Sequence, residues 1–136
     1  MPTKKLQEYN RSRLQLLYFT PAIGWGILIL YFSTLPRTEV PGLLNKFSDK
    51  LIHASIYFVA TFLIYFGFLR FKRAGFVLRR PLFLSFFICV VFGGFIELVQ
   101  MYFVPGRSGE WLDIAANVSG SLIFVLTLVG YHRAVA

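Results

Sequence analysis

Residues 82–104, LFLSFFICVVFGGFIELVQMYFV, form an apolar run whose one charged member is Glu97. A helix rises 1.5 Å per residue, so about 20 such residues cross a hydrocarbon core of about 30 Å. Three further runs of this kind lie at about 14–35, 50–69 and 112–131. They are joined by connections of roughly 7 to 15 residues, which leave no room for a soluble domain. The chain therefore reads as an all-α membrane protein, a compact four-transmembrane-helix bundle forming one domain over 1–136, with a basic N-terminal segment at 1–13.

Composition agrees: 57% of residues are hydrophobic, 18% aromatic and only 15% charged, against about a quarter charged in soluble domains. The formal charge of +8 would suggest nucleic acid in a soluble protein. Here the basic residues flank apolar runs, where they serve orientation and anionic headgroups, and no basic stripe interleaved with exposed aromatics exists. Membrane lipids are thus the expected partners and nucleic acid is not. Cys89 is the single cysteine and lies within the third run, so it forms no intramolecular disulfide and says nothing about redox compartment.

Lysine and arginine are unevenly placed. Lys4, Lys5, Arg11 and Arg13 precede the first run, Arg70, Lys72, Arg73, Arg79 and Arg80 separate the second from the third, and Arg133 follows the fourth. Arg37, Lys46, Lys50 and Arg107 fall on the alternate connections. This split predicts both termini in the cytoplasm, with 36–49 and 105–111 outside. The first run is too long for a signal-peptide core and no small-residue cleavage site follows, so it reads as a retained helix. Pro21 predicts a kink that costs the Leu17 carbonyl its helical donor. Trp25 falls near mid-membrane, where helix packing is its expected role, and Pro81 suits the first turn of the third helix.

The polar residues gather toward one end. In DKLIHASIYF (49–58), Asp49, His53 and Tyr57 recur every four residues and share one helical face. In FGGFIELVQMYFVPGR (92–107), Glu97 lies about 12 Å beneath the outer end of its helix, level with His53. Gln100 follows on nearly the same face, and Gly93, widened by Gly94, offers a notch for close helix approach. In RSGEWLDIAANVSGS (107–121), Asp113 opens the fourth helix, with Asn117 one turn inward and Gly120 and Ser121 a further turn. Asp49, His53, Glu97, Gln100, Arg107, Asp113 and Asn117 are expected to converge on one cavity in the outer half of the membrane.

An ionisable group in the hydrocarbon core costs about 2.5 to 3.5 kcal/mol and generally faces protein or water. Glu97 is therefore either part of a binding or catalytic site or a buried acid paired with His53, Arg107 or Asn117 to lock the bundle. Glu97 and His53 are the candidate acid/base pair, with Tyr57 as a candidate proton donor or a packing aromatic. Asp113 binds ligand or favours a helix N-terminus, while Asn117 and Gln100 contact ligand or join helices at about 0.6 kcal/mol each. Arg107, bracketed by glycines, clamps an anion bidentately or pairs with Glu110 or Asp113. Trp111 reads as an interfacial anchor. No Ser, Cys or Lys sits in a nucleophile elbow or dyad, so covalent catalysis is unsupported. His53, Glu97 and Asp113 would make an N/O metal set, but one outer histidine and no paired histidines argue against it; no metal and no cofactor are expected.

These residues, in this order, resemble the VanZ-like family of bacterial membrane proteins. The matching pieces are Asp49, Lys50, His53 and Tyr57; Glu97 and Gln100; then Pro105, Arg107, Asp113, Asn117 and Gly120, with Phe32, Ser33 and Pro36 like the family's opening segment. The resemblance covers nearly all the chain beyond its basic N-terminus. Phe124 departs from it, standing where relatives carry another glycine, so close helix packing is not expected at that level. The resemblance implies a ligand-binding role for Lys50, a place in the bacterial cytoplasmic membrane with the polar pocket facing outward, and a link to teicoplanin susceptibility. Three functions follow as alternatives: an enzyme or binder of an anionic or lipid-linked envelope component, a binding or transport protein for an amphipathic ligand that would work as a homo-oligomer, and a structural membrane partner.

Overall fold

A computed structural model describes residues 14–35, 46–71, 80–106 and 109–136. They are all-α. Helix α1 spans Leu14–Thr34, α2 Lys46–Arg70, α3 Pro81–Phe103 and α4 Trp111–Val135. Each is long and apolar enough to cross a membrane, and together they pack as a bundle, so the chain is an integral membrane protein. The second helix begins a turn earlier than expected, and the fourth runs one turn further.

Helices α2, α3 and α4 pack against one another, with α2–α4 the most extensive pair, and α1 lies against α2 and α3. Contacts at the two ends show that consecutive helices alternate in direction. The start of α2 meets the start of α4 through Lys50 and Asp113, and the end of α3 meets the end of α1 through Gln100 and Ser33. At the far end, Phe19 of α1 stacks edge-on against Phe68 near the end of α2, with ring centroids 5.1 Å apart. Much of each helix surface remains apolar and exposed, including Ile27, Phe83, Phe95, Leu112 and Leu126. In water this surface would be a severe cost; against lipid tails it costs nothing.

The first helix shows how the chain accommodates Pro21. Residues Leu17–Phe19 form a 3₁₀ turn just before it. The Leu17 carbonyl, denied a partner by the proline, accepts from both the backbone N–H and the hydroxyl of Thr20, the latter at 2.7 Å. A backbone group left unpaired in lipid would cost several kcal/mol, so Thr20 repairs the defect that the proline makes. Trp25 packs beside the core of Ile29, Tyr57, Ala60, Cys89 and Ile96, and its indole N–H donates to the Ile56 carbonyl at 3.1 Å. This satisfies a mid-bundle donor and ties α1 to α2.

Helix separation is set by residue size. A Cβ placed on Gly120 would run into the backbone carbonyl of Ala54, so α2 and α4 touch main chain to main chain there. One turn further along α4, Phe124 is buried and meets Phe58, Phe62 and Tyr65 at centroid distances of 5.5, 6.0 and 5.9 Å. Its ring packs among these three aromatics of α2, so the two helices are held together there by ring contacts. Thr61, Ser85 and Ser121 are fully buried, and each hydroxyl donates to the carbonyl four residues earlier in its own helix. Small polar residues thus fill the mid-bundle interior without leaving donors unpaired.

Candidate functional site

Lys50 is the centre of the polar end. Its ammonium lies against the Asp113 carboxylate, 3.0 Å from Glu110 Oε2 and 3.9 Å from Asp49 Oδ2. Sequence order hides this hub, because Lys50 lies on α2 and its two nearest partners lie more than fifty residues away, at and just before the start of α4. The Asp113 carboxylate sits in the first turn of α4, where it favours the positive end of the helix dipole as well as the lysine. The side chains of Lys50 and Asp113 are 22% and 11% exposed, so this pair is only partly screened by solvent.

Below Lys50, His53 occupies the next turn of α2. Its Nδ1 donates to Asn117 Oδ1 on α4 at 3.0 Å. Its Nε2 lies 3.9 Å from Asp49 Oδ1, too far for a hydrogen bond. Asn117 is buried, with 1% exposure, and its side chain packs against Gly93 of α3, where a Cβ would come within 3.3 Å of it and within 3.2 Å of the Tyr57 ring. Gly93 is therefore the notch that the sequence implied. Gly94 is not part of it, since nothing lies within 4 Å of the Cβ it lacks; one residue further round the helix, it faces away from the seam.

Glu97 stands one turn beyond Gly93 and is 2% exposed. Its Oε2 accepts the backbone N–H of Glu110 at 3.3 Å, which fastens α3 to the approach of α4. Its carboxylate also lies in the electrostatic field of Asp113, His53 and Lys50. The expected direct pair with His53 is not formed: no hydrogen bond joins the two among the described residues, because Asn117 takes His53 Nδ1. Gln100, a turn nearer the helix end, donates to the Ser33 carbonyl of α1 at 3.2 Å, so it joins helices at the edge of the cluster. Arg107 lies outside the described residues.

The cluster thus contains Asp49, Lys50, His53, Tyr57, Glu97, Asp113 and Asn117 of the expected set, and adds Glu110. Two features distinguish it from a simple bundle lock. Four carboxyl groups, those of Asp49, Glu97, Glu110 and Asp113, gather with one lysine and one histidine among the described residues. Three deeply buried polar atoms, Tyr57 Oη, Glu97 Oε1 and Asn117 Nδ2, have no hydrogen-bond partner among those residues. They come from three different helices around the Gly93 notch. A buried polar atom without a partner costs about 1–3 kcal/mol, so a group that supplied partners to all three would be held tightly.

Asp49, His53 and Asp113 also offer ligand atoms that all lie within 4.8 Å of one another. This is a different set from the His53, Glu97 and Asp113 trio that sequence spacing suggests, because Asp49 sits directly over His53 whereas Glu97 is drawn toward Glu110. His132, by contrast, is exposed at the far end of α4, with Nδ1 2.8 Å from the Leu128 carbonyl.

Among curated proteins the chain is similar to an uncharacterized protein of Schizosaccharomyces pombe, 28% identical over 107 residues, or 79% of this chain. The chain spans about three-fifths of that relative's length (59%). No family model matches the chain, and no solved structure does.

Proposed function

We propose that this integral membrane protein binds the polar part of an amphipathic or lipid-linked molecule at the cluster between α2, α3 and α4. The observation that carries the reading is the convergence of Tyr57 Oη, Glu97 Oε1 and Asn117 Nδ2, buried and unpartnered among the described residues, around Gly93. A hydroxyl or amide group there would satisfy a carboxylate acceptor, an amide donor and a phenol together. The apolar exterior of the same helices gives the hydrophobic part of such a ligand a lateral path from the lipid. Lys50, Asp113 and Glu110 form the rim, and Arg107, in the short connection before α4, is the candidate clamp for an anionic group at the mouth.

The likeness to VanZ-like proteins supports an envelope component as the ligand, in a bacterial cytoplasmic membrane with both termini inside and the cluster outward, and a phenotype in glycopeptide susceptibility. The fission yeast relative is itself uncharacterized, so the binding reading rests on the cluster. Glu97 and His53 remain the candidate acid/base groups for any reaction. The alternative is a structural role, favoured by the pairing of Lys50 with Asp113 and Glu110.

The test is deletion followed by complementation with wild type, Glu97→Gln and Arg107→Ala at equal membrane abundance, reading the envelope-lipid profile and glycopeptide susceptibility. The binding reading expects wild type alone to restore both. Full restoration by both variants would leave the cluster with a structural role.

A further inference from the structure

We propose that Asp49, His53 and Asp113 form a binding site for a divalent transition-metal ion such as zinc or manganese, held by His53 Nε2 and one oxygen of each carboxylate. The three ligand atoms lie within 4.8 Å of one another, and atoms that bind one ion at about 2.0–2.2 Å lie within that span.

The orientation of His53 is the first support. Asn117 Oδ1 can only accept a hydrogen bond, so the nitrogen facing it, Nδ1, carries the proton. The other ring nitrogen, Nε2, lies 3.9 Å from Asp49 Oδ1. That gap is too wide for a hydrogen bond and suited to a cation between them. A metal-binding histidine characteristically donates its other N–H to an oxygen that fixes the tautomer, and Asn117 supplies that oxygen here.

Glu97 is the second, independent support. It is 98% buried, its Oε1 is unpartnered among the described residues, and its carboxylate lies in the field of His53 and Asp113. Lys50 lies against Asp113 Oδ1 and 3.9 Å from Asp49 Oδ2, so an ion would use the other oxygen of each carboxylate and compete with the ammonium. Asp49, with a side chain 40% exposed, gives an ion a path from solvent.

Three protein ligands leave a coordination position open, as in metal sites that act on a bound molecule. The inference rests on the proposed function only in what that position would take: an oxygen of the ligand's polar group. The ion would also offset two units of negative charge, easing the approach of an anionic headgroup.

The experiment uses the full chain in lipid nanodiscs, stripped with EDTA and titrated calorimetrically with ZnCl₂ and, separately, MnCl₂. One ion should bind per chain. His53→Gln and Asp49→Asn should weaken binding by at least about tenfold, whereas His132→Ala should leave it unchanged. Lys50→Gln, which removes the competing ammonium, should bind metal more tightly and gain more thermal stability from it than wild type does. Cobalt loading of unaltered protein supplies a readout independent of variant folding, because ligand-field bands of a nitrogen- and oxygen-ligated ion are expected on wild type itself. Absence of stoichiometric binding by wild type, or binding that survives both site variants, overturns the inference. Glu97→Gln should keep the metal. A missing metal together with loss of amphipathic ligand in Glu97→Gln would sink the metal site and leave the proposed function standing; bound metal with ligand retained in that variant would do the reverse.

Discussion

His53 and Asn117 are joined across the α2–α4 seam by a 3.0 Å hydrogen bond, directly beside the place where Gly120 meets the backbone of Ala54. The two contacts are one arrangement. Ala54 follows His53, and Gly120 lies one turn after Asn117, so the missing side chain at Gly120 brings the helices close enough for short polar side chains to meet. The polar cluster depends on a glycine that carries no chemistry.

Gly120→Ala should therefore destabilise the bundle by about 3 kcal/mol or more, since the new methyl would strike main chain that cannot rotate away. Gly94→Ala, in open space on α3, should be neutral or slightly stabilising, because alanine is the better helix former by about 1 kcal/mol. Thermal unfolding of both variants in the same detergent checks this pair, and equal melting points would contradict it.

Lys50→Met removes the lysine that meets Asp113 and Glu110 among the described residues. The loss should be about 1–3 kcal/mol, below the range for a fully buried pair because these side chains are partly solvated. Adding Asp113→Asn should recover part of it by removing a carboxylate that no longer has its cation. A double-mutant cycle read by thermal unfolding measures the coupling, and strictly additive losses would show that the ion pair contributes nothing.

Tyr57→Phe deletes a buried hydroxyl that has no partner among the described residues. Stability should stay unchanged or rise by about 1 kcal/mol, as the desolvation cost of the hydroxyl disappears. Ligand binding should fall. A clear loss of stability would mean that the hydroxyl holds the bundle together.

The basic residues predict both termini inside. In a Cys89→Ser background, an impermeant thiol reagent applied to intact cells should label Ser108→Cys and leave Gly75→Cys untouched. The opposite pattern inverts the orientation.

Most of the fold was legible in the sequence, because a lipid environment makes hydropathy and length sufficient to place spans. The faces carrying His53, Glu97 and Asn117 were legible too, since helical periodicity fixes which residues share a side. Pairings between helices were not. Periodicity gives depth and face but not the rotation of one helix against another, so it put Glu97 level with His53 without revealing that His53 Nδ1 pairs with Asn117. The role of Lys50 escaped for a related reason: next to Asp49 in sequence, it makes its closest contacts with residues of another helix and its approach. Glu110 was visible only as an acid near a helix start. Trp25, unexplained by depth alone, is explained by one acceptor, the Ile56 carbonyl.

The central claim, that the buried polar cluster is a binding centre, is tested most directly by native mass spectrometry of wild type and Glu97→Gln released from the same membranes in the same mild detergent. The account predicts an amphipathic molecule retained on wild type and lost from Glu97→Gln, with both proteins folded and equally stable to heat within about 1 kcal/mol. The same bound species at equal occupancy on both proteins, or none on either, would contradict it.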